Sequence, residues 1–247
     1  MAVDTINTTL SANDARILHA LFDPETLPSS VAKSQDASAI DATLPSHPTI
    51  SASQLSSLEA QQNDIIRATS NSSSIATINP AIASLDEIIA AHPSYPSAFL
   101  NRAMLRRLKI EAGLPDPSTQ LLSAPQVDID ALFADLARAI QLCLPSRSSP
   151  APANPAPVSS YAARILRAAY SHRAFLYLKA SETGTALRGL GKSDLEELAS
   201  GDFAAAARYG DEAAREMSVR TNPYAKMCGA IVKNALREER KEAGEIV

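Results

Sequence analysis

The sequence predicts an all-α protein, an array of about three helix pairs with an N-terminal helix before it and a C-terminal capping helix after it. Three observations carry this. The 247 residues are 45% hydrophobic but only 4% aromatic, with no Trp and abundant Ala, the residue with the highest helix propensity and one that lets helices approach closely. Eight glycines and few alternating Val-rich stretches leave little material for a sheet. Small residues also recur at helix-pairing spacing with aromatics between them, in Tyr170-Ser171-His172-Arg173-Ala174 and in Asp202-Phe203 followed by Ala204 to Ala207. Helical hairpins that must stack on one another have this pattern, and such arrays bind partners more often than they catalyse reactions.

The N-terminal segment, residues 1–28, contains a short amphipathic helix over 13–22. Asn13 or Asp14 caps it, Ile17, Leu18, Leu21 and Phe22 form its apolar stripe, and Pro24 and Pro28 end it. Residues 29–51 are Ser, Ala, Thr, Asp and Pro without a period, which predicts a flexible linker. The remaining domain, 52–247, divides into repeat 1 (about 54–93), repeat 2 (about 96–144, with an insertion), repeat 3 (about 160–217) and a cap (222–243).

In repeat 1 a helix from Gln54 to about Ala68 buries Leu55, Leu58, Ile65 and Ile66. The second helix is predicted to open at Asn79-Pro80, with Asn79 as cap. Its Ala81, Leu85, Ile88 and Pro93 have the spacing of the second helix of a tetratricopeptide repeat: small, large four later, apolar three later, Pro after five more. Repeat 2 opens at Pro96, with Phe99 at the large wedge position and Ala103 at the close-contact position. Gly113, Pro115, Pro117 and Pro125 interrupt it before a partner helix, Asp128 to Cys143. Five prolines in 145–157 exclude helix there and predict mobility. Repeat 3 starts with a helix from Tyr161 to Lys179. After a Gly-containing loop and a short turn at Asp194–Ala199, it continues with Asp202 to Glu216. A helix from Pro223 to about Glu242 then caps the stack with Ile231, Val232 and Leu236.

The net charge of −4 is too mild to predict nucleic acid or an anionic membrane as partner. It is unevenly spread: residues 1–93 hold ten acids against three bases, while Arg102, Arg106, Arg107 and Lys109 cluster on one helix. Cys143 and Cys228 lack metal or redox spacing and read as reduced core residues. The start of the chain lacks the basic and apolar blocks of a signal peptide, and no stretch nears the ~20 apolar residues that span a bilayer. The expectation is a monomer in the cytoplasm or nucleus.

Several pieces resemble the tetratricopeptide repeat protein 36 family in a fungal form with longer Ser/Pro-rich insertions. They are Asn13-Asp14-Ala15, Leu18-His19-Ala20-Leu21-Phe22-Asp23-Pro24-Glu25-Thr26, Leu58-Glu59-Ala60-Gln61, Asn101-Arg102-Ala103, Asp135 to Ile140, Asp202-Phe203 with Ala206-Ala207-Arg208, and Asn222-Pro223-Tyr224-Ala225 with Cys228. The resemblance implies a non-enzymatic adaptor, associated with an Hsp70-type chaperone or a metabolic enzyme and linked to tyrosine catabolism.

Repeats that grip the chaperone tail use Lys and Asn on the first helix, Asn on the third, and Lys and Arg on the fifth. This sequence keeps Asn63 and Asn101 but has Glu59, Ala168 and His172 at the cation positions, so the carboxylate clamp is expected to be dismantled. Leu100, Met104 and Phe175 complete a groove suited to an apolar or helical peptide. The rival expectation is a regulatory or assembly subunit that docks through its N-terminal helix, the repeats being structural.

No catalytic, cofactor or metal site is expected. His19, His47, His92 and His172 stand apart from any ligand partner, and no nucleophile has a base with an orienting group. Gly189-Leu190-Gly191-Lys192-Ser193 imitates a phosphate loop, but Ala186 replaces its first glycine and a helix precedes it where a strand is needed.

Overall fold

Eight α-helices form among the described residues of the computed structural model, which are 39–70, 74–115, 121–145, 156–185 and 187–242. They are α1 (Ala52–Ser70), α2 (Ile75–Ala91), α3 (Pro96–Gly113), α4 (Gln126–Cys143), α5 (Ser160–Thr183), α6 (Lys192–Arg208), α7 (Glu212–Thr221) and α8 (Pro223–Glu242). Only two isolated bridges, and no strand, occur among these residues. The N-terminal helix expected at 13–22 and most of the proline-rich insertion lie outside them.

Local chemistry sets the helix ends. Ser159 Oγ accepts from Ala162 N at 3.2 Å, and Asp211 Oδ1 accepts from Ala214 N at 2.9 Å, each satisfying a backbone donor left free in the first turn. Gly184, at φ 66°, turns the chain left-handed to end α5, a conformation that a side chain would strain.

Each helix from α1 to α7 packs on the next, and α3 also touches both α1 and α5. The pairs run antiparallel. Arg102 of α3 reaches Asp135 of α4, whereas Arg106, one turn later, reaches back to the carbonyl of Ala131 at 2.8 Å. One apolar core runs from α1 to α6 through Leu58, Ile78, Leu85, Leu105, Leu132, Leu166 and Leu195. A smaller one joins α5, α6 and α7 through Ala174, Phe203, Ala206 and Ala214, and Tyr170 and Tyr177 pack against both.

The second and third pairs share one constellation. In α3, Arg102 forks onto Asp135 of α4 at 2.9 and 2.6 Å, and its guanidinium lies 5.4 Å from the Phe99 ring centroid. In α5, Arg173 forks onto Asp202 of α6 at 2.6 and 2.8 Å and lies 5.5 Å from the Tyr170 ring. The residue after each arginine, Ala103 and Ala174, is fully buried. An aromatic three positions before the arginine, an alanine one after it and an aspartate on the next helix therefore form an internal repeat. Replacing either alanine by Leu is expected to overpack a helix contact and lower stability by about 1–3 kcal/mol; a thermal melt unchanged for both variants would refute this register.

Several boundaries differ from expectation. α2 starts at Ile75 behind Ser74, not at Asn79, and Pro80 lies inside it. The turn expected at 194–199 is part of α6, and the helix expected over 202–216 is two helices. Gly210, at φ 89°, breaks it, and Asp211 caps the second piece. The described part of the expected flexible linker is fixed: Ala39, His47 and Ile50 are buried, and Val158 N donates to the Ala39 carbonyl at 3.0 Å. Ile231 of α8 is 60% exposed rather than covering the stack, and Cys228 is exposed rather than in the core. α8 leans on α6 and α7 instead, through an ion pair of Lys226 with Glu196 at 3.1 Å, leaving Tyr224, Met227 and Ile231 outward.

Candidate partner-binding face

The first helices of the three pairs, α1, α3 and α5, lie side by side, so residues distant in sequence share one surface. Contacts across it show the juxtaposition. Glu59 of α1 pairs with Arg164 of α5. Gln62 Oε1 of α1 accepts from Ser97 of α3 at 3.1 Å and from the Asn101 amide. Arg107 of α3 lies 5.2 Å from the Phe175 ring centroid of α5.

The residues expected to line the groove divide by what they can offer. Met104 and Phe175 are exposed, at 41% and 37%, although both are large and apolar. Asn63 and Ala168 are also exposed. Leu100 is half-buried against the core. Asn101 has its amide committed to Gln62, and Glu59 its carboxylate to Arg164.

His172 Nε2 is buried with no hydrogen-bond partner among the described residues. Burial, reinforced by the nearby Arg107 charge, pushes its pKa down to about 4, so the ring is neutral at physiological pH. The clamp positions therefore supply no cation.

Cations nevertheless reach this face from positions outside the clamp. Lys179 Nζ lies 5.7 Å from the Phe175 ring centroid, and with Arg107 it places two cations on that one ring. Arg107 Nε donates to Glu111 at 2.7 Å and Lys179 to Glu182 at 2.8 Å, so each cation has one carboxylate beside it. Leu108, 38% exposed, extends the apolar strip by one turn beyond Met104. The sequence carried a signal for Leu108 and Lys179: Met104–Leu108 and Phe175–Lys179 are both i, i+4 pairs, which fall on one helix face.

Other features offer less chemistry. A cavity of about 650 Å³ opens between α2, α3 and α4, walled by Ile75, Ile82, Ile110 and Val127. Arg106 at its edge is committed to Asp135 at 2.9 Å and to the Ala131 carbonyl. The Cys143 thiol is pushed up to about 12 by burial, which removes thiolate reactivity. In the phosphate-loop imitation, Gly191 N donates to Asp194 at 3.1 Å, so a carboxylate already occupies that helix start. No group of three or more His, Cys, Asp or Glu that could hold a metal occurs among the described residues, and no described helix is long and apolar enough to cross a membrane.

The chain is similar to L-tyrosine degradation gene cluster protein hmgX of Aspergillus fumigatus, with 44% identity over 250 residues that cover 93% of each chain. The chain belongs to the hmgX family. No protein-family model matches the chain. No solved structure matches it.

Proposed function

We propose that the chain is a non-enzymatic adaptor of the tetratricopeptide repeat protein 36 type, which docks a protein segment on the α3/α5 face and serves tyrosine breakdown. The observation that carries this is the exposed strip of Met104, Leu108 and Phe175, with Arg107 and Lys179 set against the Phe175 ring. Exposed large apolar side chains beside oriented cations suit an amphipathic, acidic segment of a partner protein. The tetratricopeptide reading is supported by the adjacency of α1, α3 and α5, which gathers the first helices of the pairs into one surface. The link to tyrosine comes from the hmgX relative, named for a tyrosine degradation gene cluster.

We read this docking as different from capture of a chaperone tail. A terminal carboxylate at the clamp positions would meet Glu59 and a neutral His172, while Arg164 is already held by Glu59. A partner segment instead gains burial of apolar area on the strip, with its acids beside Arg107 and Lys179.

The test is complementation. In native cells lacking this protein, the wild-type chain should restore growth on tyrosine. Phe175→Asp should fail to do so while keeping its helical circular dichroism and melting temperature. Proximity labelling should mark an enzyme of tyrosine breakdown with the wild type and lose it with the variant. Full growth with a folded Phe175→Asp chain would refute the face as the working surface.

A further inference from the structure

The ladder of polar contacts between α3 and α4 stops one rung short. Arg102 of α3 reaches Asp135 of α4, and Arg106 reaches the Ala131 carbonyl. Three residues further along α3 stands Lys109, and three residues back along antiparallel α4 stands Asp128, so the same register sets an ammonium opposite a carboxylate. Neither side chain makes an ion pair or hydrogen bond with any described residue, and both are half-buried on the wall of the cavity between α2, α3 and α4. We propose that this cavity binds a free α-amino acid with a large apolar side chain, its carboxylate on Lys109 and its ammonium on Asp128. The inference does not rest on the α3/α5 face.

The charges on the wall select for a zwitterion. Arg106 is committed to Asp135 and the Ala131 carbonyl, which leaves one cation and one anion among the charged residues that line the cavity. A ligand with a single charge would satisfy one of them and set apolar atoms against the other. An amino acid carries both charges on groups bonded to one carbon, and each can make a charge-assisted contact.

The rest of the wall suits an apolar side chain. Ile82 and Ile110 form it together with Ile75 and Val127, which are 41% and 73% exposed although both are β-branched and apolar. A bound side chain would take part of this surface out of water. The volume of about 650 Å³ falls within the range of small-molecule sites, which combine mostly apolar walls with a few placed polar groups.

Calorimetric titration of the full-length chain tests this with three compounds: L-phenylalanine, 3-phenylpropionate, which lacks the ammonium, and phenethylamine, which lacks the carboxylate. Phenylalanine should bind saturably at millimolar concentration and raise the melting temperature. Each analogue should bind about tenfold more weakly, because one charge-assisted contact is gone. No saturable binding of phenylalanine, or equal binding of either analogue, would overturn the proposal.

Two full-length variants assign the contacts. Lys109→Met and Asp128→Asn keep the size of each side chain and break no described polar contact, so both should fold. Each should weaken phenylalanine binding about tenfold. Lys109→Met should also erase the preference for phenylalanine over phenethylamine, and Asp128→Asn the preference over 3-phenylpropionate. A preference that survives in the variant meant to remove it would show that the charge is read elsewhere, and would overturn the site.

Discussion

Replacing Arg173 by Ala is expected to destabilise the fold by about 3–5 kcal/mol, because it strips the partner from a buried charge. Asp202 is 8% exposed, and the fork from Arg173 supplies its side-chain hydrogen bonds. Burial already holds its carboxyl above the ordinary value even with the guanidinium in place. Without Arg173, a desolvated carboxylate must stay uncompensated or take up a proton. Asp202→Asn in the Arg173→Ala background should therefore recover a large part of the loss, because it removes the charge and keeps the shape. Urea unfolding of the two variants measures this. A loss below about 1 kcal/mol for Arg173→Ala, the range of an exposed ion pair, would show that Asp202 is well solvated. Arg102→Ala should cost less, because Arg106 remains on Asp135 at 2.9 Å.

Acid should weaken the fold through His172, by up to roughly 3 kcal/mol between pH 6.5 and 4. The ring is held neutral, with its pKa pushed down to about 4 from 6.5, by burial first and by the Arg107 charge second. As pH falls, the unfolded chain takes the proton first. The stabilisation is thus complete above pH 6.5 and is lost progressively down to about 4. Asp202 works with the opposite sign as pH falls, since its raised carboxyl takes up a proton in the folded state before the unfolded one. The comparison that isolates His172 is therefore wild type against His172→Asn, unfolded in urea across this range. The variant should lose most of the slope between pH 6.5 and 4. Parallel curves would mean that the imidazole is protonated without hindrance in the folded chain.

What was legible in the sequence followed from periodicity. Apolar spacing of three and four gives the paired helices, and Ala103 and Ala174 mark where they touch. Boundaries were less legible because local signals compete. Asn79-Pro80 has the form of a helix start, yet Ser74 precedes a longer run of good spacing and α2 begins there. The alanine run after Phe203 gives no reason to stop, and only the left-handed Gly210 with Asp211 behind it splits α6 from α7. The low hydrophobicity of 39–51 concealed an ordered segment held by a few buried groups rather than by a stripe.

On the candidate face, Met104 and Phe175 were readable from helix register. The commitment of Asn101 to Gln62 and of Glu59 to Arg164 was not, because those pairs join helices far apart in the chain.

The ordered strand of coil from Ala39 to Ile50 has a mechanical meaning. His47 Nε2 donates to the Ser94 carbonyl at 2.9 Å in the α2–α3 turn, while its Nδ1 accepts from Ile50 N at 3.1 Å just before α1. Ser159 Oγ donates to the Ser46 carbonyl at 3.2 Å at the head of α5. A stack of helix pairs ordinarily senses only its neighbours, so its ends can fray one unit at a time. Here one short arm laces the first, second and third pairs together like a strap across the ends of a sheaf. Opening the first pair strips bonds from the third, which makes the array melt as a single cooperative body.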